Sequence, residues 1–155
     1  MRVLFMCTAN SCRSILSEAL FNHLAPEGFE AISAGSFPKG QVLPRSLTTL
    51  QQAGIAIDGL SSKGNDAFEN DPPDIVITVC DKAAGEACPV YFGPALKAHW
   101  GLEDPSEVHG DEEQVAAFRA TLARIETRCR AFLALPFGQL GRDALKRELD
   151  RIGTL

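Results

Sequence analysis

Two short apolar runs punctuate the chain. Val3, Leu4, Phe5 and Met6 are apolar without interruption, and residues 74–79, rich in β-branched side chains, follow Pro72 and Pro73. Short unbroken runs of this kind predict strands buried on both faces, as in a parallel sheet. Each run ends at a cysteine, Cys7 and Cys80. Between them Ile15, Leu16, Ala19, Leu20 and Leu24 recur at helical spacing after Ser11, and a weaker stretch at 29–33 stops before Gly35. The pattern predicts strand, helix, strand. Residues 44–53 predict a second helix, with Pro44 at its start and Gly54 beyond its end, and 66–70 a further short one. Residues 98–100 are the last strand candidate. Asp111 reads as the cap of a long helix with Gln114 as its partner, because Val115, Phe118, Leu122, Ile125, Cys129 and Phe132 then step by three and four along one face. Leu145, Leu149 and Ile152 mark a terminal helix over 143–152. Strands alternating with helices predict an α/β fold around a parallel sheet. Residues 81–96, with Gly85, Pro89, Gly93 and Pro94 and no steady period, read as a long loop, and long loops in compact chains are usually functional.

At 155 residues with 45% hydrophobic and 23% charged positions, the chain suits one domain spanning 1–155. A chain of this size buries roughly 70% of its unfolded surface, so it can fold without disulfides. Fifteen basic against twenty acidic residues give a net charge of −5, which excludes a global footprint for nucleic acid or an anionic membrane. Any bound anion must be held by a local device. No stretch approaches the roughly 18 apolar residues of a membrane span, and the first apolar run is too short for a signal peptide. The expectation is a cytoplasmic protein. Five cysteines, an odd number, then point to reactive or metal-binding thiols rather than a disulfide framework.

The segment Cys7-Thr8-Ala9-Asn10-Ser11-Cys12-Arg13-Ser14 lies between the first predicted strand and the first predicted helix. Successive backbone N–H groups can converge there on an oxyanion at the helix N-terminus. Cys7 would supply a nucleophile beneath the anion and Arg13 a bidentate guanidinium beside it. The bare Cys-x5-Arg pattern is weak, and the strand-loop-helix context is what carries it. A thiol of pKa ~8.5 is only about 3% ionised at pH 7, and lowering it to ~6.5 takes ~2.7 kcal/mol. The helix dipole supplies ~0.3–1 kcal/mol of that, leaving the loop N–H groups, Arg13 and the Ser14 hydroxyl to supply the rest.

With these residues in place, the sequence resembles the low-molecular-weight tyrosine phosphatase superfamily, and more closely its thiol-dependent, thioredoxin-coupled arsenate reductases. Three separated signatures carry the likeness: the loop Cys7 to Ser14, the Val79-Cys80-Asp81 and Ala87-Cys88-Pro89 pair, and the run His99-Trp100-Gly101-Leu102-Glu103-Asp104-Pro105. The resemblance implies a three-layer fold with a four-stranded parallel sheet flanked by helices. It also implies a catalytic set of Cys7, Arg13, Cys80, Cys88 and Asp104, with arsenate held by Thr8, Ala9, Asn10, Ser11, Cys12, Arg13 and Ser14. In the implied reaction Cys7 attacks arsenic while Asp104 protonates the departing oxygen. Cys80 then attacks Cys7, releasing arsenite, and Cys88 resolves the Cys7–Cys80 disulfide. Thioredoxin, or glutaredoxin with glutathione, would reduce the product. Neither a cofactor nor a metal is called for.

Two rival readings stay open. A phosphatase hydrolysing phosphate monoesters needs only Cys7, Arg13 and a general acid, though such enzymes usually carry the Asp-Pro acid nearer the carboxyl end and paired tyrosines. This chain has one tyrosine, Tyr91. A thiol module for zinc or arsenite is the other, but the Cys80 to Cys88 spacing is not a usual zinc pattern. Cys12 is left out of the catalytic set, Cys129 reads as core, and His23 and His109 read as surface. His99 and Trp100 read as packing residues that orient the acid loop. Some relatives bind potassium beside the anion loop through Asn, Glu, Ser and Asp. Asn10, Glu18 and Ser33 match three of these, while the fourth position holds Lys63, whose ammonium could replace the ion.

Overall fold

The computed structural model describes residues 1–80 and 92–155. Strands β1 (Arg2–Cys7), β2 (Glu30–Gly35), β3 (Ile75–Thr78) and β4 (Leu96–His99) form one sheet in the order β2-β1-β3-β4. All three pairings are parallel, with Val3 opposite Ala31 on one side and Ile75 on the other. The α-helices are α1 (Arg13–Leu24), α2 (Pro44–Gln52), α3 (Asp111–Leu133) and α4 (Arg142–Ile152), with short 3-10 turns at Asn65–Phe68, Pro105–Glu107 and Phe137–Gln139. This is the α/β architecture expected from the strand and helix pattern.

The two unbroken apolar runs are central strands because both of their faces are buried. Val3, Phe5, Ile75 and Ile77 face one cluster with Leu16, Leu20 and Phe21 of α1, Phe118, Ile125 and Phe132 of α3, and Leu149 and Ile152 of α4. Leu4, Met6 and Val76 face the other, packed with Phe68, Phe92 and Ala95. Strand β4 carries exposed Lys97 and His99, polar side chains of which the lysine suits an edge. Phe132 anchors the larger cluster, its ring centroid 5.5 Å from Phe21, 6.2 Å from Trp100 and 5.1 Å from Phe137. Among the described residues no helix is long and apolar enough to cross a membrane.

One sequence expectation is corrected at α3. The residue in the capping position is Gly110, at φ 92°, and Asp111 is the first helical residue. Asp111 instead pairs with Arg45 of α2 (2.5 Å), and Gln114 turns back to the preceding loop. Asp111, Glu112 and Glu113 still favour this helix start through the dipole.

Chain direction places the site. From the central strand β1 the chain crosses to β2 on one side, and β3 lies on the other. The crevice at the carboxyl ends of β1 and β3 is therefore the topological switch point of the sheet. Cys7 ends β1 and Cys80 lies just past β3.

Candidate active site

The anion loop is wrapped from outside by the chain that follows β2. Ser36 N donates to Cys7 O (3.3 Å), Phe37 N to Thr8 O (2.9 Å), Lys39 N to Ala9 O (3.0 Å) and Leu43 N to Ser11 O (3.0 Å). Ser62 Oγ adds a bond to Ala9 O and Ser46 Oγ one to Ser11 O. In a planar trans peptide the N–H points opposite to the carbonyl before it. Carbonyls turned outward at Cys7, Thr8, Ala9 and Ser11 therefore turn the N–H groups of Thr8, Ala9, Asn10 and Cys12 inward. Asn10 takes φ 48°, the left-handed step that curls such a run into a nest. Cys12 in the capping position of α1 makes no side-chain cap bond, which leaves the first N–H groups of the helix available to an anion.

Asn10 braces the loop from beneath. Its Nδ2 donates to Ser14 Oγ (2.8 Å) and Ser33 Oγ (3.0 Å), and its Oδ1 accepts from Lys63 N (2.9 Å). Ser14 Oγ thus serves the brace, keeping its own hydrogen to donate. Ser33 Oγ donates to Glu18 Oε1 (2.5 Å). The Lys63 ammonium stands 3.3 Å from Ser33 Oγ, 3.6 Å from Glu18 Oε1 and 2.9 Å from Ser61 O. A potassium ion does not fit a set of ligands that already holds this cation. Burial pulls the Lys63 pKa down, and Glu18 counters it.

Arg13 connects the anion loop to the acid loop. Its NH1 donates to Leu102 O (3.0 Å) and its NH2 lies 3.5 Å from Asp104 Oδ2. Its Nε is buried and has no partner among the described residues, leaving one edge of the fork for an oxyanion. Asp104 caps the Pro105–Glu107 turn, its Oδ1 accepting from Ser106 N (2.9 Å) and Ser106 Oγ (2.6 Å). Oδ2 is thereby turned toward Arg13. Together Thr8, Arg13, Cys80, Leu102, Asp104 and Val108 line an open cleft of about 590 Å³.

Cys7, Cys12, Cys80 and Cys129 are buried, reduced thiols. Cys7 and Cys80 are neighbours at the carboxyl ends of β1 and β3, close enough that Cys80 is the largest influence on the Cys7 thiol, and Thr8 Oγ1 lies 3.7 Å from Cys80 Sγ. The expectation of a simply lowered Cys7 is corrected here. Cys80 first, and burial second, push the Cys7 thiol up, while Arg13 and the Thr8 N–H pull it down. Two neighbouring thiols titrate as a pair, so the upward push falls on whichever loses its proton second. Burial pushes Cys12 up to about 12, with a Ser46 hydrogen bond opposing it, so Cys12 stays protonated. Cys129 is core, as expected.

The structure therefore brings together Thr8 to Ser14, Cys7, Cys80 and Asp104; Cys88 and Tyr91 lie outside the described residues. Trp100 packs against Phe5 and donates from Nε1 to Leu149 O (2.9 Å). His99 is exposed, with Nδ1 2.8 Å from Thr78 Oγ1, and His23 and His109 are also exposed. Sequence reasoning missed Leu102 and Ser106. Leu102 acts through a carbonyl, which its side chain does not signal. Ser106 was readable, since Asp-Pro-Ser is a turn-capping spacing.

A family model for low molecular weight phosphotyrosine protein phosphatases matches residues 2–150. The arsenate reductase of Halalkalibacterium halodurans is 33% identical over 131 residues, which make up 84% of this chain and 93% of that protein. A solved arsenate reductase in its phosphate-binding state superposes with TM-score 0.72 at 27% identity, covering 86% of this chain and 96% of that one. A thioredoxin-dependent arsenate reductase of Corynebacterium glutamicum superposes with TM-score 0.63 at 29% identity, covering 83% and 58%. Since the sheet, the anion loop and the acid loop all fall inside the matched span, the chain belongs to the low molecular weight phosphotyrosine protein phosphatase family.

Proposed function

We propose that the chain is an arsenate reductase working through a thiol relay. The observation that carries this reading is the proximity of Cys7, at the end of β1, to Cys80, which follows the adjacent β3 and lines the cleft with Thr8 and Arg13. Hydrolysis of a phosphate ester has no use for a second thiol there, whereas a two-electron reduction needs a dithiol.

Arsenate would enter the nest of N–H groups and take the Nε edge of Arg13. Cys7 sulfur forms a bond to arsenic as one oxygen leaves as water, with Asp104 supplying a proton from Oδ2. Cys80 then attacks the Cys7 sulfur. A Cys7–Cys80 disulfide forms, the sulfur–arsenic bond breaks, and its electron pair stays on arsenic, which leaves as arsenite. Cys88 attacks Cys80 and frees Cys7. An external dithiol or thiol, of the thioredoxin or glutaredoxin/glutathione kind, reduces the resulting Cys80–Cys88 disulfide.

The test is arsenate-dependent NADPH oxidation with thioredoxin and its reductase, comparing wild type with Cys88→Ser. The variant should release one arsenite per chain and stall with Cys7 and Cys80 joined. Undiminished multiple turnover would remove Cys88 from the relay. The phosphatase reading keeps a specific support, because Arg13 and Asp104, which phosphoryl transfer would also use, lie 3.5 Å apart in one cleft. Aryl phosphate hydrolysis faster than arsenate reduction would favour it.

A further inference from the structure

Helix α3 grips the acid loop at both of its ends. Near the start of the helix, Gln114 Nε2 donates to Ser106 O (3.0 Å) and Val108 O (3.2 Å). Fourteen residues further along α3, Arg128 NH1 donates to Gly101 O (3.1 Å). Fourteen residues are almost four whole turns, so both side chains leave the same side of the helix, about 21 Å apart along its axis. The loop from Gly101 to Val108 is tied to the helix at both ends, and Asp104 lies between the ties, capping the Pro105–Glu107 turn.

Arg128 is an unusual choice for this place. It is 2% exposed, and its other donors also go to main-chain oxygens, Nε to Leu155 (3.2 Å) and NH2 to Gly153 (3.1 Å). Burial together with Arg124 lowers its pKa. Burying a guanidinium is costly, and an apolar side chain would fill the space more cheaply. What the guanidinium alone offers is a rigid set of donors aimed at three backbone segments at once. Gly153 closes the same joint: a Cβ there would lie 2.5 Å from His99 O and 3.0 Å from Trp100 Cδ1.

We propose that Gln114 and Arg128 are positioning residues, and that α3 is the splint that sets Asp104 over Arg13. Neither side chain touches the cleft, and both act on the backbone that carries the carboxylate. The proposal rests on the reading of Asp104 as the proton donor, and the experiment separates the two.

The readout is single-turnover arsenite release by pre-reduced protein with arsenate in excess, which needs no external reductant. Gln114→Leu and Arg128→Lys are compared with wild type, each alone and combined with Asp104→Asn. Asp104→Asn alone should slow the step about 10²–10⁴-fold. Each splint variant should slow it about tenfold or more at saturating arsenate, with the half-saturating concentration within about twofold of wild type. In the Asp104→Asn background neither should slow it further by more than about twofold. An unchanged rate, an equal loss in both backgrounds, or a change in half-saturation alone overturns the splint while leaving the acid in place. If Asp104→Asn runs at the wild-type rate, the acid reading falls and the splint falls with it. Gln114 is half-buried at the loop, so its variant keeps the test readable should Arg128→Lys fail to fold.

Discussion

The Lys63 ammonium lies 3.6 Å from Glu18 Oε1 beneath the anion loop, with Ser33 between them and Asn10. The positive charge that steadies this brace belongs to the polypeptide. Arsenate turnover should therefore run at nearly the same rate in potassium chloride and in tetramethylammonium chloride. Strong activation by potassium would refute the assignment. Lys63→Met should cost about 1–3 kcal/mol in urea denaturation, because Glu18 is left largely buried without its partner.

Gly35 cannot carry a side chain. A Cβ would lie 2.5 Å from Thr8 O and 3.0 Å from Asn10 N, both belonging to the anion loop. Gly35→Ala must displace that backbone, at about 1–3 kcal/mol. We expect phosphate or arsenate binding, followed by isothermal titration, to weaken at least tenfold, and more than the loss of stability would suggest. Wild-type affinity in Gly35→Ala would show that the loop can move outward without penalty.

Arg13→Lys keeps the charge and loses the fork. Leu102 O, Asp104 and the unpartnered Nε edge cannot all be served by one ammonium. A fall of at least about a hundredfold in single-turnover rate is expected. Retention of more than a tenth of the rate would mean that only charge is required of this position.

Cys129 offers a pH test of the core. Burial raises its thiol from 9.0 to about 12. A group whose folded pKa is raised contributes stability that is fully present below its unfolded value and is lost as pH rises toward the folded one. In urea denaturation with reductant, the advantage of wild type over Cys129→Ala should be greatest at pH 7–8 and shrink steadily above pH 9. A gap independent of pH up to 10.5 would mean the thiol ionises freely where it sits.

Sequence was most informative where a single segment settles its own environment. Val3 to Met6 and Ile75 to Ile77 are apolar throughout because both faces of a central parallel strand are covered, so periodicity alone places them. The anion loop was legible for a similar reason, since its small residues, its cysteine and its arginine lie within one turn of chain. Long-range features were not. Gly110 rather than Asp111 takes the capping position because Arg45, from another helix, draws Asp111 away. The proximity of Cys7 to Cys80 depends on strand order, which no local pattern states. The roles of Leu102 and Gln114 rest on backbone carbonyls, to which a sequence is blind.

The bonds from Ser36, Phe37, Lys39 and Leu43 to the outside of the anion loop mean that the receptacle is finished before a guest arrives. An entering oxyanion orders nothing and so forfeits none of its attraction to shaping its host. The corollary for anyone redesigning this protein is that selectivity among tetrahedral ions can be adjusted from the girdle at 36–46, by residues that never meet the ion at all.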